Sequence, residues 1–218
     1  MDLNTYSVPV NQKKLVMGLS FVATFLLCAH GLAVCYNYLV EETPWYLLQM
    51  FDVNEEHNLP TWFSGFNLLI ATTFLWIASR EKRIGNDSMA GRWTVLFAIF
   101  CFLSIDEIAG IHESINSVVE PTWAYGGAVI AAVLGIYFIP FLKSLPRPTL
   151  IKFVIAGAIF VGGAVGMEIV GEPMDGDSLI YNLTTMVEEG MEIFGIILFT
   201  KALLEYLSLG TLNVGIKQ

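Results

Sequence analysis

The sequence contains little charge and few cysteines, and these shortages exclude several classes of protein. Only 14% of the 218 residues are charged, against about 25% in ordinary soluble domains, whereas 55% are hydrophobic. This balance excludes a disordered chain and disfavours a soluble globular domain. The three cysteines form no C-x-x-C pair and provide no disulfide framework. Basic residues are also scarce, with 11 Lys and Arg against 20 Asp and Glu, so we expect no nucleic-acid partner.

Long apolar runs are abundant, and they predict an all-α integral membrane protein. A helix needs about 20 residues to cross a bilayer, and no segment has the alternating polarity of a β-barrel strand. The apolar stretch after Pro44 predicts a short interfacial helix in the first outer loop. Short connections indicate one transmembrane domain over residues 1–218. The predicted six-helix bundle consists of residues 15–39, 61–79, 93–118, 124–142, 151–170 and 181–207.

The distribution of basic residues predicts the orientation of this bundle. With six spans, the two termini and alternate loops share one side, and all 11 Lys and Arg fall on that side or at the adjoining helix ends. Basic loops face the cytoplasm, so the prediction is N-in and C-in. Most of the 20 acids then lie on the opposite side, because only four share the cytoplasmic side: Asp2, Glu81, Asp87 and Glu205.

Acidic residues inside three predicted spans are the main functional signal. Each costs about 2.5–3.5 kcal/mol in a membrane and marks a functional site by default. No Lys or Arg lies in the same half of the protein, so protons or bound cations supply the counter-charge. The three histidines fall in that half too, and mixed carboxylate and imidazole ligands suit Fe, Mn or Zn, whereas oxygen ligands alone suit Ca. The predicted divalent-metal ligands are Glu107, His112, Glu113, Glu168, Glu188, Glu192, His30 and His57.

Helical spacing places several of these acids on shared faces. Glu188 and Glu192 are four residues apart, and Glu189 is three residues before Glu192. We predict that Glu189 or Asp106 serves as a bridge or proton relay, which is the catalytic role. Glu107 and His112 diverge by about 140° on an ideal helix, so we predict a π-bulge between them near Gly110. The usual motifs H-E-x-x-H and E-x-x-H are absent.

Two patterns resemble those of an uncharacterised family of bacterial multi-span membrane proteins. One is E-x-N-x-P-T-W-F-S over residues 56–64, and the other is S-x-D-E-x4-H-E over residues 104–113. The resemblance covers most of the chain and implies no activity. It implies that Glu56 is a pattern position, which adds Glu56 to the metal ligands, and that His57 is a filler. It also implies a bacterial inner membrane, and the N-in, C-in orientation then places the acidic site on the periplasmic side.

Three functions remain open at this point. The first is a di-metal Fe or Mn oxidoreductase that acts on a lipid or another apolar substrate. A zinc variant of the same site would hydrolyse a lipid. The second is a cation or proton transporter with an acidic outer funnel. The third is a subunit of a larger membrane complex, and a homo-oligomer is also compatible with the sequence.

Overall fold

Helices form most of the chain in the computed structural model, which describes residues 3–9, 11–116, 118, 122–207 and 211–217. A π-helical segment, Gly162–Met167, lies between two α-helical segments in the second half of the chain. The α-helices of the described ranges are α1 (Gln12–Leu39), α2 (Trp45–Phe51), α3 (Leu59–Ile84), α4 (Ala90–Ala109), α5 (Ile111–Asn116), α6 (Trp123–Ser144), α7 (Arg147–Val161), α8 (Glu168–Gly171) and α9 (Leu179–Leu207).

Polar side chains start three of the long helices. Asn11 accepts a hydrogen bond from the backbone N–H of Lys14 at the start of α1. Asn58 caps α3 in the same way, and a proline follows in its first turn. Thr122 caps α6. Such caps satisfy backbone N–H groups that have no partner within the helix.

Four helical stretches among the described residues are long and apolar enough to cross a membrane. They are Gln12–Leu39, Leu59–Ile84, Trp123–Ser144 and Arg147–Gly171. All four overlap spans predicted from the sequence. The other two predicted spans correspond to α4 and α9, which have 20 and 29 residues. Helix α4 carries Asp106 and Glu107, and α9 carries Glu188, Glu189 and Glu192, whereas Glu168 lies in the fourth apolar stretch. The charge of α4 and α9 distinguishes them from the four apolar stretches.

Helix α9 lies at the centre of the bundle and packs against α1, α3 and α7. Its side chains Ile193, Leu203 and Leu204 are fully buried. Gly195 allows α7 to approach closely, since a Cβ there would lie 2.9 Å from the backbone nitrogen of Phe160. The acidic residues of α9 are therefore attached to the element with the most neighbours, which fixes their position relative to three other helices.

The predicted span 93–118 is not one continuous helix, and the π-bulge predicted near Gly110 is wrong. Helix α4 ends at Ala109, and Gly110 adopts a left-handed conformation with φ of 57° before α5 begins. Glycine ends helices in this way because it has no Cβ to clash. The π-helical geometry occurs instead at Gly162–Met167, within the predicted span 151–170.

The structure also contains a pair of short strands, which the all-α prediction did not include. Strand β1 (Leu3–Pro9) pairs antiparallel with β2 (Thr211–Lys217), and Leu3 lies opposite Lys217. The pairing joins the two ends of the chain. Nothing in the hydropathy pattern indicated it, because the strands are short and their partner is about 200 residues away.

Candidate functional site

The chain folds back at the end of α4 and brings His112 to Asp106. The backbone N–H of His112 donates to Asp106 Oδ1 at 3.1 Å, and its ring Nδ1 lies 3.0 Å from Oδ2. A carboxylate at Nδ1 favours the tautomer that is protonated on this nitrogen. The lone pair of Nε2 then points away from Asp106. Histidines that bind metals are oriented by a carboxylate in this manner.

Glu56 reaches the same turn from the loop before α3. A Cβ on Gly110 would lie 2.2 Å and 2.3 Å from the two carboxylate oxygens, so only glycine leaves room for this carboxylate. Glu56 Oε1 is buried and has no hydrogen-bond partner among the described residues. A buried oxygen without a partner costs free energy. Glu56 is therefore a group of this site that a cation or a proton would stabilise.

Glu168 is held by two polar side chains that the sequence analysis did not identify. Thr122 donates a hydrogen bond to Glu168 Oε1 at 2.8 Å, and Asn116 donates to the same oxygen at 3.3 Å. The backbone N–H of Trp123 fixes Asn116 in turn, at 2.7 Å from its Oδ1. The local sequence could have indicated Thr122 as a helix cap, but it contained no signal for the contact of Thr122 with Glu168.

The acidic turn of α9 packs against the π-helical segment that precedes Glu168. A Cβ on Gly163 would lie 2.8 Å from the carbonyl oxygen of Glu188 and 3.0 Å from Cγ of Glu192. The absence of a side chain at Gly163 thus permits this close approach. π-Helical turns are frequent at functional sites. Here the π-helical segment brings α9 against the stretch that carries Glu168.

Electrostatic interactions join these groups into one carboxylate cluster. The charges of Glu189 and Glu192 each interact with those of Glu107, Glu168 and Glu188. The charge of Glu107 also interacts with that of Glu56. The carboxylate cluster consists of Glu56, Asp106, Glu107, His112, Glu113, Glu168, Glu188, Glu189 and Glu192.

Lysine ion pairs lie away from this cluster. Within the described ranges, Lys82 pairs with Asp87 at 3.8 Å, and Lys152 pairs with Glu205. The ion pair inside the cluster joins His112 to Asp106. With so many carboxylates and one imidazole, the cluster depends on protons or bound cations for its charge balance.

Two groups of the cluster lie on α5, beyond the end of α4. Burial lowers the pKa of His112. The hydrogen bond to Asp106 and the surrounding carboxylates together raise this pKa by more than burial lowers it, so the net pKa lies above its usual 6.5. Burial raises the pKa of Glu113 above its usual 4.5, and the charge of Glu56 raises it more. Both groups hold protons more strongly than in water. A metal ion would have to displace these protons.

The structure leaves the other two histidines outside the cluster. His30 is 1% exposed and joins three segments, because Val53 N–H donates to its Nδ1 at 3.3 Å and its Nε2 lies 3.4 Å from the Asn182 carbonyl oxygen. Both ring nitrogens therefore serve hydrogen bonds between segments. His57 is exposed in the loop before α3, with φ of 63°.

The cluster is not a preformed metal cage. Within residues 11–116, 118 and 122–207, no group of three or more His, Cys, Asp or Glu side chains lies close enough to hold a metal ion as it stands. Its donor set nevertheless fits a metal chemically: the cluster offers an oriented imidazole and a buried carboxylate oxygen with no partner among the described residues.

These features define a largely helical protein with four candidate membrane-spanning helices and a carboxylate cluster built from four parts of the chain. Residues 19–206 match the family described as a domain of unknown function, DUF8692, and the chain belongs to that family. This agrees with the resemblance to an uncharacterised family. No curated protein and no solved structure matches the chain.

Proposed function

We propose that this protein is a membrane-embedded metal-binding protein, with a di-metal Fe or Mn site that oxidises a lipid or another apolar substrate. The observation that carries the proposal is the carboxylate cluster, in which acids from four parts of the chain lie within electrostatic range of one another, without a Lys or Arg ion pair among the described residues. Carboxylates are retained inside a membrane protein when they bind a cation or move protons.

The same proposal includes six spans. Helices α4 and α9 have enough residues to cross a bilayer, and their acids are partly buried against neighbouring elements, which reduces the exposure of these charges to lipid. The one-sided distribution of Lys and Arg supports an N-in, C-in orientation in a bacterial inner membrane. The carboxylate cluster then faces the periplasm.

Individual residues have distinct roles in this proposal. His112 would bind a metal through Nε2, and Asp106 would hold the ring in position. Glu56, Glu107 and Glu113 would be ligands from the side of α4 and α5. Ligands from the other side would be Glu168, Glu188 and Glu192, with Glu189 as a bridge or proton relay. Bound Fe or Mn would supply the redox chemistry with O2, and Zn would instead activate water.

The experiment is elemental analysis of the detergent-purified protein beside two variants. E188Q/E192Q removes two charges of the cluster, whereas E205Q removes a charge from the same helix near its other end. Near-stoichiometric Fe or Mn that is lost in E188Q/E192Q and kept in E205Q would support the proposal. Stoichiometric Zn would redirect it to lipid hydrolysis. No transition metal in a folded wild-type protein would overturn it.

Cation or proton transport is the second candidate, and two buried polar atoms favour it. Asn67 and Thr200 are completely buried, and Asn67 Oδ1 and Thr200 Oγ1 have no hydrogen-bond partner among the described residues. Asn67 Nδ2 donates to the Ile193 carbonyl oxygen, one residue beyond Glu192. These atoms would extend the polar region from the cluster into the bundle. The test is proton flux into liposomes that contain the protein. A flux that persists in metal-free wild-type protein and falls in the N67L variant would favour this candidate.

A further inference from the structure

A shallow groove lies beside the loop that carries Glu56. It has a volume of about 420 Å³ and is lined by residues of α2 and the start of α3: Trp45, Tyr46, Gln49, Met50, His57, Asn58 and Leu59. A volume of this size suits a small ligand or part of a lipid. The groove is outside the carboxylate cluster, although consecutive residues connect the two. Glu56 contacts Gly110, and His57 lines the groove.

The groove has a defined shape because Asn58 connects its two walls. Asn58 Nδ2 donates to the carbonyl oxygens of Gln49 at 3.0 Å and Asp52 at 2.6 Å, while its Oδ1 caps α3. The end of α2 and the start of α3 are thereby held together. His57, at the base of this connection, adopts a left-handed conformation that costs a non-glycine residue free energy.

The exposed side chains of α2 indicate that the groove faces lipid. Helix α2 has no buried residue, and Trp45 and Tyr46 are 74% and 53% exposed. A seven-residue helix with such an apolar surface is unstable in water, whereas its aromatic rings suit the headgroup region of a bilayer. The neighbouring helices α1 and α3 are both candidate membrane spans.

Charge decides which lipid headgroup suits this location. Among the described residues, the connections at this end of the bundle, residues 40–58, 110–116 and 172–178, contain nine Asp or Glu and no Lys or Arg. Contacts hold these connections at one end of the bundle, since Tyr38 OH, in the last turn of α1, donates to the Asp177 carbonyl oxygen at 2.9 Å, and Glu56 reaches Gly110. An anionic headgroup is repelled here. An ammonium group is attracted by the carboxylates and by the faces of the exposed aromatic rings.

We propose that this groove binds the headgroup of a zwitterionic phospholipid that carries an amine. The aromatic side chains Trp45 and Tyr46 receive the ammonium group, and His57 and Gln49 provide hydrogen-bond donors for the phosphate. His57 of the groove directly follows Glu56 of the carboxylate cluster in the chain. If the proposed function also holds, the bound lipid therefore belongs to the class of lipid substrates that the cluster would oxidise. The inference of a lipid site does not depend on the proposed function, because it is argued from the geometry of the groove and from the charge of the surrounding connections.

Native mass spectrometry in detergent tests this inference with two short-chain probes, dihexanoyl phosphatidylethanolamine and dihexanoyl phosphatidylglycerol. We expect the wild-type protein to retain the amine lipid about five- to tenfold better, which corresponds to a favourable cation–π contact. W45L should lose this preference. W76L is the matched control, because Trp76 is 53% exposed and does not line the groove.

Equal retention of the two lipids by the wild-type protein would overturn the inference, and so would an unchanged preference in W45L. A loss of the same size in W76L would show general lipid coating and would overturn it as well. Metal content measured on the same samples separates this result from the proposed function. E188Q/E192Q should lose the metal and keep the lipid preference, whereas W45L should keep the metal.

Discussion

At the residue scale, the structure requires glycine at position 110 for two separate reasons. Its φ of 57° favours glycine, and its missing side chain leaves the space that the Glu56 carboxylate occupies. The sequence indicated a special backbone near this residue, since Glu107 and His112 do not share a face of an ideal helix. It did not indicate which geometry occurs, because that depends on a carboxylate more than 50 residues earlier in the chain.

We expect G110A to lower the free energy of unfolding by about 2–4 kcal/mol, the sum of left-handed strain and overpacking. Thermal unfolding in detergent measures this loss. Gly126 provides the control, since a Cβ there meets nothing within 4 Å, and G126A should be neutral or slightly stabilising. The double variant E56A/G110A should regain part of the lost stability, because it removes the carboxylate that the new Cβ would contact. Equal melting temperatures for G110A and G126A would contradict the packing described here.

Asp106 provides a second prediction at this scale. If Asp106 orients His112 for a metal, D106N should weaken metal affinity by about 10- to 100-fold while the protein stays folded. Titration of the metal-free protein with Mn²⁺ measures the affinity. D87N is the control, because Asp87 pairs with Lys82 away from the cluster. An unchanged affinity in D106N would rule out an orienting role for this carboxylate.

At the scale of the element, spacing along a helix predicted some features of the site and missed others. Glu188, Glu189 and Glu192 lie on one helix, as expected from their separation. The contacts of Glu168 with Asn116 and Thr122 were not predictable, because they join segments about 50 residues apart. The π-helical segment was also missed. Its sequence of glycines and small apolar residues looks like that of an ordinary packed span.

Gly163 tests the packing of this segment on α9. G163A should lower the free energy of unfolding by about 1–3 kcal/mol, because its Cβ would meet the backbone carbonyl of Glu188 at 2.8 Å. In the same segment, a Cβ on Gly166 meets nothing within 4 Å, so G166A should change stability by less than about 0.5 kcal/mol. Thermal unfolding of both variants measures the difference. A neutral G163A would mean that α9 and the π-helical segment are farther apart.

At the scale of the whole molecule, the proposed orientation can be tested by cysteine labelling. The three native cysteines are first replaced by serine, and a single cysteine is then placed at an exposed position of either end by D175C or S144C. A maleimide that cannot cross membranes should label D175C in intact cells and S144C only after permeabilisation. The reverse pattern would contradict the N-in, C-in orientation, and equal labelling would show that these positions do not lie on opposite sides.

The sequence by itself determined that the chain is largely helical, that it has helices apolar enough to cross a membrane, and that acids and bases fall mostly in different segments of the chain. These properties follow from local hydropathy and from the order of residues along the chain. Only the tertiary structure decided which acids meet. It brought Glu56 to Gly110 and Glu168 to Asn116, and it used both ring nitrogens of His30 in contacts between segments. The physical reason is that such contacts depend on how each helix is rotated and packed, which hydropathy along one helix does not specify.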